Sequence, residues 1–65
     1  MGGSIYPRLR SILLENGCVF ARQEKGSHEI WENPFFGKRF TVPMNIVSRN
    51  LANAILKQAR IKQSI

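Results

Sequence analysis

The sequence predicts an α+β fold, with two helices packed on one face of a three-stranded antiparallel sheet in the order α-β-β-β-α. Three observations carry this reading. Apolar residues recur at helical spacing near both ends of the chain. Three short β-prone runs lie between them, joined by links short enough for antiparallel hairpins. The 65 residues leave room for a single domain, 1–65, with 1–5 expected to be a flexible start.

Each element has its own signal. Pro7 suits the first turn of a helix, where its missing N–H has no partner to lose. Leu9, Ile12, Leu13 and Asn16 follow at helical spacing, and Gly17 stands where a helix C-terminal glycine belongs, so the first helix is read at 7–16. Residues 18–22 form a β-prone run, and 23–27 form a polar connection containing Gly26. A second strand is read at 28–32 and a third at 38–42, the latter stopped by Pro43. The link at 33–37 carries turn residues at both ends. Of its Phe35 and Phe36, one is expected to plug the core and the other to meet a partner.

Ser48 is placed to cap the last helix, which is read as running to about Lys62. Its apolar face is read as Leu51, Ala54, Ile55 and Ala59, its basic face as Arg49, Asn53, Lys57 and Arg60. Leu56 fits the apolar arc poorly. The expected core is Leu9, Ile12, Leu13, Val19, Phe20, Ile30, Phe40, Val42, Leu51 and Ile55. Two helices on one face leave the other face of the sheet open, as in double-stranded-RNA-binding domains.

Charge is the strongest bulk signal. Ten Lys and Arg against four Asp and Glu give a net charge of +6. Such a field attracts polyanions at long range, with nucleic acid the leading partner; an acidic protein or an anionic membrane surface fits the same field. Cys18 is the only cysteine and His28 the only histidine. They cannot supply the four ligands of a structural zinc site, so neither metal nor cofactor is expected. A lone thiol suits a reducing cytosol. No run is long enough for a signal peptide or a membrane span, and Tyr6 at position 6 breaks the myristoylation pattern. A cytoplasmic location and no membrane partner are expected.

His28 directly follows Lys25-Gly26-Ser27. A glycine lets backbone N–H groups approach an anion, Ser27 adds a hydroxyl donor, and Arg22 and Lys25 add positive charge. Lys38 and Arg39 are expected on the strand pairing beside His28. Together these groups are suited to hold a phosphodiester while an imidazole, with an ordinary pKa near 6.5, moves a proton. By spacing alone, His28 also reads as an ordinary surface or core-edge histidine. Glu29 and Glu32 read as solvated strand residues or ion-pair partners.

The run Arg22-Gln23-Glu24-Lys25-Gly26-Ser27-His28-Glu29-Ile30-Trp31 resembles the central motif of the HicA toxins, small messenger-RNA interferases of toxin–antitoxin pairs. Phe40-Thr41-Val42-Pro43 resembles that family's valine-proline strand end, and Leu56-Lys57-Gln58-Ala59 the start of its C-terminal signature. The resemblance covers about Pro7 to Ile61. It implies the double-stranded-RNA-binding-like fold, cleavage of mRNA without metal or cofactor, a catalytic histidine mapping to His28, and a HicB-like antitoxin. RNA contacts are then expected from Arg22, Lys25, Gly26, Ser27, Lys38, Arg39, Arg49, Lys57 and Arg60, and antitoxin contacts from His28, Trp31 and Lys38. Trp31 also reads as a base-stacking residue on the open face or as core. Two positions depart from the family pattern. Met44-Asn45-Ile46 lacks the second histidine that many members carry there. Arg60 stands where many have glycine, and is expected to extend the basic face of the last helix. A non-catalytic RNA-binding module of the same fold is the alternative reading. A protein-interaction domain whose basic face holds an acidic partner is the third.

Overall fold

The computed structural model describes residues 4–65. Helix α1 spans Tyr6–Glu15, strands β1, β2 and β3 span Val19–Gln23, His28–Asn33 and Lys38–Pro43, and helix α2 spans Arg49–Gln58. The strands form one antiparallel sheet in the order β1-β2-β3. The α+β class and the element order are those expected. Of the expected flexible start, 1–3 lie outside the described residues. The Ser4 hydroxyl and the Ile5 N–H both donate to the Ile46 carbonyl, at 3.2 and 2.9 Å.

Both helices end in the same backbone motif. After α1, the Cys18 N–H donates to the Leu13 carbonyl (3.0 Å) and the Gly17 N–H to Leu14 (3.1 Å), with Gly17 at φ +83°. After α2, the Ile61 N–H donates to Leu56 (2.9 Å) and the Arg60 N–H to Lys57 (3.1 Å), with Arg60 at φ +65°. These are Schellman caps, which satisfy helix-end carbonyls through one left-handed residue and bury an apolar residue just beyond it. Cys18 and Ile61 are those buried residues. The last helix therefore stops at Gln58 rather than near Lys62. Arg60 is the left-handed residue of its cap and does not extend a helical basic face. At its other end α2 is capped as expected, the Ser48 hydroxyl accepting from the Leu51 N–H at 3.1 Å.

One buried cluster joins Leu9, Ile12 and Leu13 of α1, Trp31, Phe40 and Val42 of the sheet, and Ala52, Ile55, Leu56 and Ala59 from α2 and its cap. The apolar face of α2 is thus turned from its expected phase. Leu56 is fully buried, whereas Leu51 stays 46% exposed and Ala54 is exposed. No residue of β1 enters the cluster, so Val19 and Phe20 are not core residues. Phe20 instead stands edge-on against Trp31, with ring centroids 6.1 Å apart. β1 pairs with β2 through a register irregularity between Phe20 and Arg22, where Ala21 stands as the extra residue.

Alternation along β2 divides its residues cleanly. Glu29, Trp31 and Asn33 are buried under the helices, while His28, Ile30 and Glu32 face the open side. Trp31, only 1% exposed, is core and is not available to stack a base. Glu29 is buried rather than solvated. One carboxylate oxygen, Oε1, accepts from both the Tyr6 hydroxyl (2.7 Å) and the Trp31 indole N–H (2.9 Å). Desolvation, reinforced by the hydrogen bond and the charge of Glu29, pushes the Tyr6 phenol above its ordinary value.

Candidate functional site

His28 opens β2, opposite Pro43 of β3, with its side chain exposed on the open face. The turn before it is held tightly. The Glu24 N–H donates to the His28 carbonyl (2.8 Å), and the Met44 N–H donates to the Ser27 carbonyl (2.6 Å). The Gln23 side-chain amide reaches the carbonyls of Gly26 (3.3 Å) and His28 (3.2 Å). Gly26 adopts φ +67°, and a Cβ there would meet only open space, so the backbone conformation is what requires glycine. The turn is therefore a fixed, solvent-facing rim beside an accessible imidazole. Gln23 belongs to the motif, but neither its bracing role nor that of Met44 carries a signal in the sequence.

The expected site residues fall into separate groups. Arg22, Lys25, Gly26 and Ser27 lie on the β1–β2 hairpin with His28. Arg22 shares the open face there, paired across the ladder with Ile30, and its guanidinium meets Glu24 at 3.1 Å. Lys25 is exposed in the turn and is the nearest cation to His28 in the chain. Arg49 stands at the start of α2, exposed.

Lys38 and Arg39 do not lie beside His28. The β2–β3 register pairs Asn33 with Lys38 and His28 with Pro43, so Lys38 stands five positions along the ladder, about 16 Å from His28 at ~3.3 Å per residue. A hairpin closing over 33–37 can have no other sense, since antiparallel strands bring together the residues flanking their turn. Lys38, Arg39, Lys57 and Arg60 instead converge at that far end of the sheet, around an open cleft of about 470 Å³ also lined by Ala54 and Gln58. Arg39 reaches Glu32 at 3.4 Å across the open face. Over the same end, the Arg60 guanidinium lies 5.9 Å from the centre of the Phe36 ring. Phe35 and Phe36 are 77% and 58% exposed, so neither plugs the core. Phe35 lies over Gly17, where an added Cβ would come within 2.6 Å of its ring.

The chain is a small α+β domain that carries an exposed histidine at a braced hairpin on the open face of its sheet and a cationic cleft between β3 and α2 at the far end. The family comparison makes this class specific. A family model described as HicA toxin of bacterial toxin–antitoxin matches residues 6–61. The chain belongs to the HicA toxin family. That membership implies a cognate antitoxin. No curated protein and no solved structure matches the chain. Among the described residues no helix is long and apolar enough to cross a membrane.

Proposed function

We propose that this chain is an endoribonuclease that cleaves mRNA by acid–base chemistry at His28, needs no metal or cofactor, and is neutralised by a HicB-like antitoxin. The observation that supports this best is the exposed imidazole at the Lys25-Gly26-Ser27 turn, in a chain that matches a toxin family over 6–61. In this reading His28 takes a proton from the attacking 2′-hydroxyl or from water as the new oxygen–phosphorus bond forms. Lys25 and the turn stabilise the charge that grows on the phosphoryl oxygens. The departing 5′-oxygen leaves its bond to phosphorus and takes its proton from water, because a single imidazole cannot be base and acid in one step. Turnover is therefore modest. A cyclic phosphate end identifies the 2′-hydroxyl as nucleophile, and cleavage of a substrate lacking that 2′-hydroxyl identifies water.

The test incubates pure protein with RNA in the presence of a chelator, wild type against His28→Ala. Loss of about 10²–10⁴-fold in rate is expected for general acid–base catalysis. A folded His28→Ala protein that still cuts RNA refutes the assignment. The antitoxin is expected to cover His28 and Lys38; Trp31 is too buried to contribute. One observation favours the non-catalytic RNA-binding module, namely that the largest group of cations lies away from His28. That reading predicts RNA binding without cleavage.

A further inference from the structure

The far end of the sheet combines features that the His28 hairpin lacks. Lys38, Lys57 and Arg60 line one cleft, and no acidic side chain lines it with them. Arg39 also lines it but is shared with Glu32, so the other three carry its uncompensated charge. Beside it stands an exposed aromatic ring, Phe36, stacked against Arg60.

Phe36 and Arg60 are held in place by buried contacts. Asn33 is buried, and its side-chain amide donates to the Ala59 carbonyl at 2.7 Å while its oxygen accepts from the Phe35 N–H at 3.1 Å. One residue thus ties the loop carrying Phe36 to the helix cap carrying Arg60. Arg60 itself occupies a left-handed conformation that costs a non-glycine residue roughly 1–2 kcal/mol. Local strain held by its surroundings is a pointer to function when the strained side chain lines a site.

We infer that this cleft is a second RNA site, which anchors a single-stranded segment away from the scissile bond. The phosphates lie along Lys38, Lys57 and Arg60, and an unpaired base stacks on the Phe36–Arg60 pair. Cations alone would serve an acidic protein equally well. The exposed ring braced by an arginine is what favours unpaired nucleic acid, because every base offers a face to stack. Lys38 stands about 16 Å along the ladder from His28 and on the opposite face of the sheet, so a strand joining the two sites must span at least that distance, roughly five nucleotides at a stacked rise of ~3.4 Å. The inference rests on the RNA reading of this chain and adds to it a minimum substrate length.

The test measures binding of fluorescent single-stranded RNA of about ten and about three nucleotides to the full chain carrying His28→Ala, so that the RNA stays intact. The longer RNA is expected to bind at least ten-fold tighter. Adding Phe36→Ala is expected to weaken the longer RNA about ten-fold and leave the shorter one unchanged. Adding Lys57→Gln is expected to lower the salt dependence of binding, with the slope of log affinity against log salt falling by about 0.7. Both positions are exposed, and matching thermal melts check that the variants fold. Equal affinity for the two lengths, or no effect of either substitution, overturns the second site. So does tighter binding of a duplex RNA, or of a polyglutamate peptide with the same sensitivity to Lys57→Gln. Cleavage that depends on His28 while the cleft variants bind normally overturns the second site alone. The expected binding pattern in a wild-type protein that cuts nothing refutes the catalytic reading alone.

Discussion

Replacing Arg60 by glycine and, separately, by alanine isolates the backbone cost at the end of α2. Both variants remove the guanidinium and its contact with Phe36, so their difference reports the left-handed φ of +65°. Relief of the Cβ clash is worth roughly 1–2 kcal/mol in favour of glycine. Glycine gives back about 0.4–1 kcal/mol through the greater freedom of its unfolded chain. The glycine variant should therefore exceed the alanine variant by about 1 kcal/mol. In a domain of this size that is a difference of roughly 4–8 °C in melting temperature. Thermal unfolding followed by circular dichroism, with a denaturant titration to confirm the sign, measures it. If alanine equals or exceeds glycine, the Schellman cap of α2 is wrongly described. Arg60 would then carry no strain beside Phe36. The same pair of variants should lose affinity for longer single-stranded RNA together, since neither retains the arginine.

Other perturbations test the interior and its polar contacts. Glu29→Ala strands the buried Trp31 indole N–H and frees the Tyr6 hydroxyl, and should cost about 3 kcal/mol. That is a large share of the roughly 3–10 kcal/mol available to a domain of this size. Glu29→Gln keeps an acceptor oxygen and should cost much less in the same denaturant titration. Because the Tyr6 pKa is raised in the folded state, its contribution is complete below pH about 10 and is lost as the pH climbs through the folded value. An alkaline stability profile should accordingly fall more steeply above pH about 10 for the wild type than for Tyr6→Phe. Gly17→Ala keeps φ +83° under a Cβ that also meets the Phe35 ring, and should destabilise by about 1–2 kcal/mol on thermal unfolding. Burial pushes the Cys18 thiol up, so a thiol-specific dye should label it only as fast as the chain unfolds.

The element order could be read in the sequence because its punctuation is chemical. Pro7, Gly17 and Ser48 each stand where a helix terminus requires their particular backbone or side chain, and the structure uses all three. The phase of α2 could not be read in the same way. The sets 51-54-55-59 and 52-55-56-59 share Ile55 and Ala59, and both satisfy helical spacing, so the choice falls to packing. The fully buried Leu56 and Ala52 show which set the sheet accepts. The burial of Glu29 is illegible for another reason. A carboxylate is expected in water, and only the convergence of Tyr6 from α1 and Trp31 from two residues along β2 makes its burial tolerable.

Lys38 lies on the strand expected of it but away from His28. Its charge and its strand are legible in the sequence, and a hairpin closing over 33–37 already places it at the far end of the ladder from His28. Moving it to the far end of the ladder changes the electrostatics of the proposed chemistry. On the His28 hairpin the cations are Lys25 and Arg22, the latter in an exposed ion pair with Glu24. Most of the cationic surface is then free to hold substrate rather than to speed its cleavage. On the proposed reading, affinity and length selectivity come from the cleft and chemistry from the His28 hairpin. Substitutions at Lys57 or Phe36 should accordingly raise KM for long RNA with little change in kcat, and His28→Ala should do the reverse. A Lys57→Gln protein whose kcat falls as far as that of His28→Ala would show instead that the two ends act as one site.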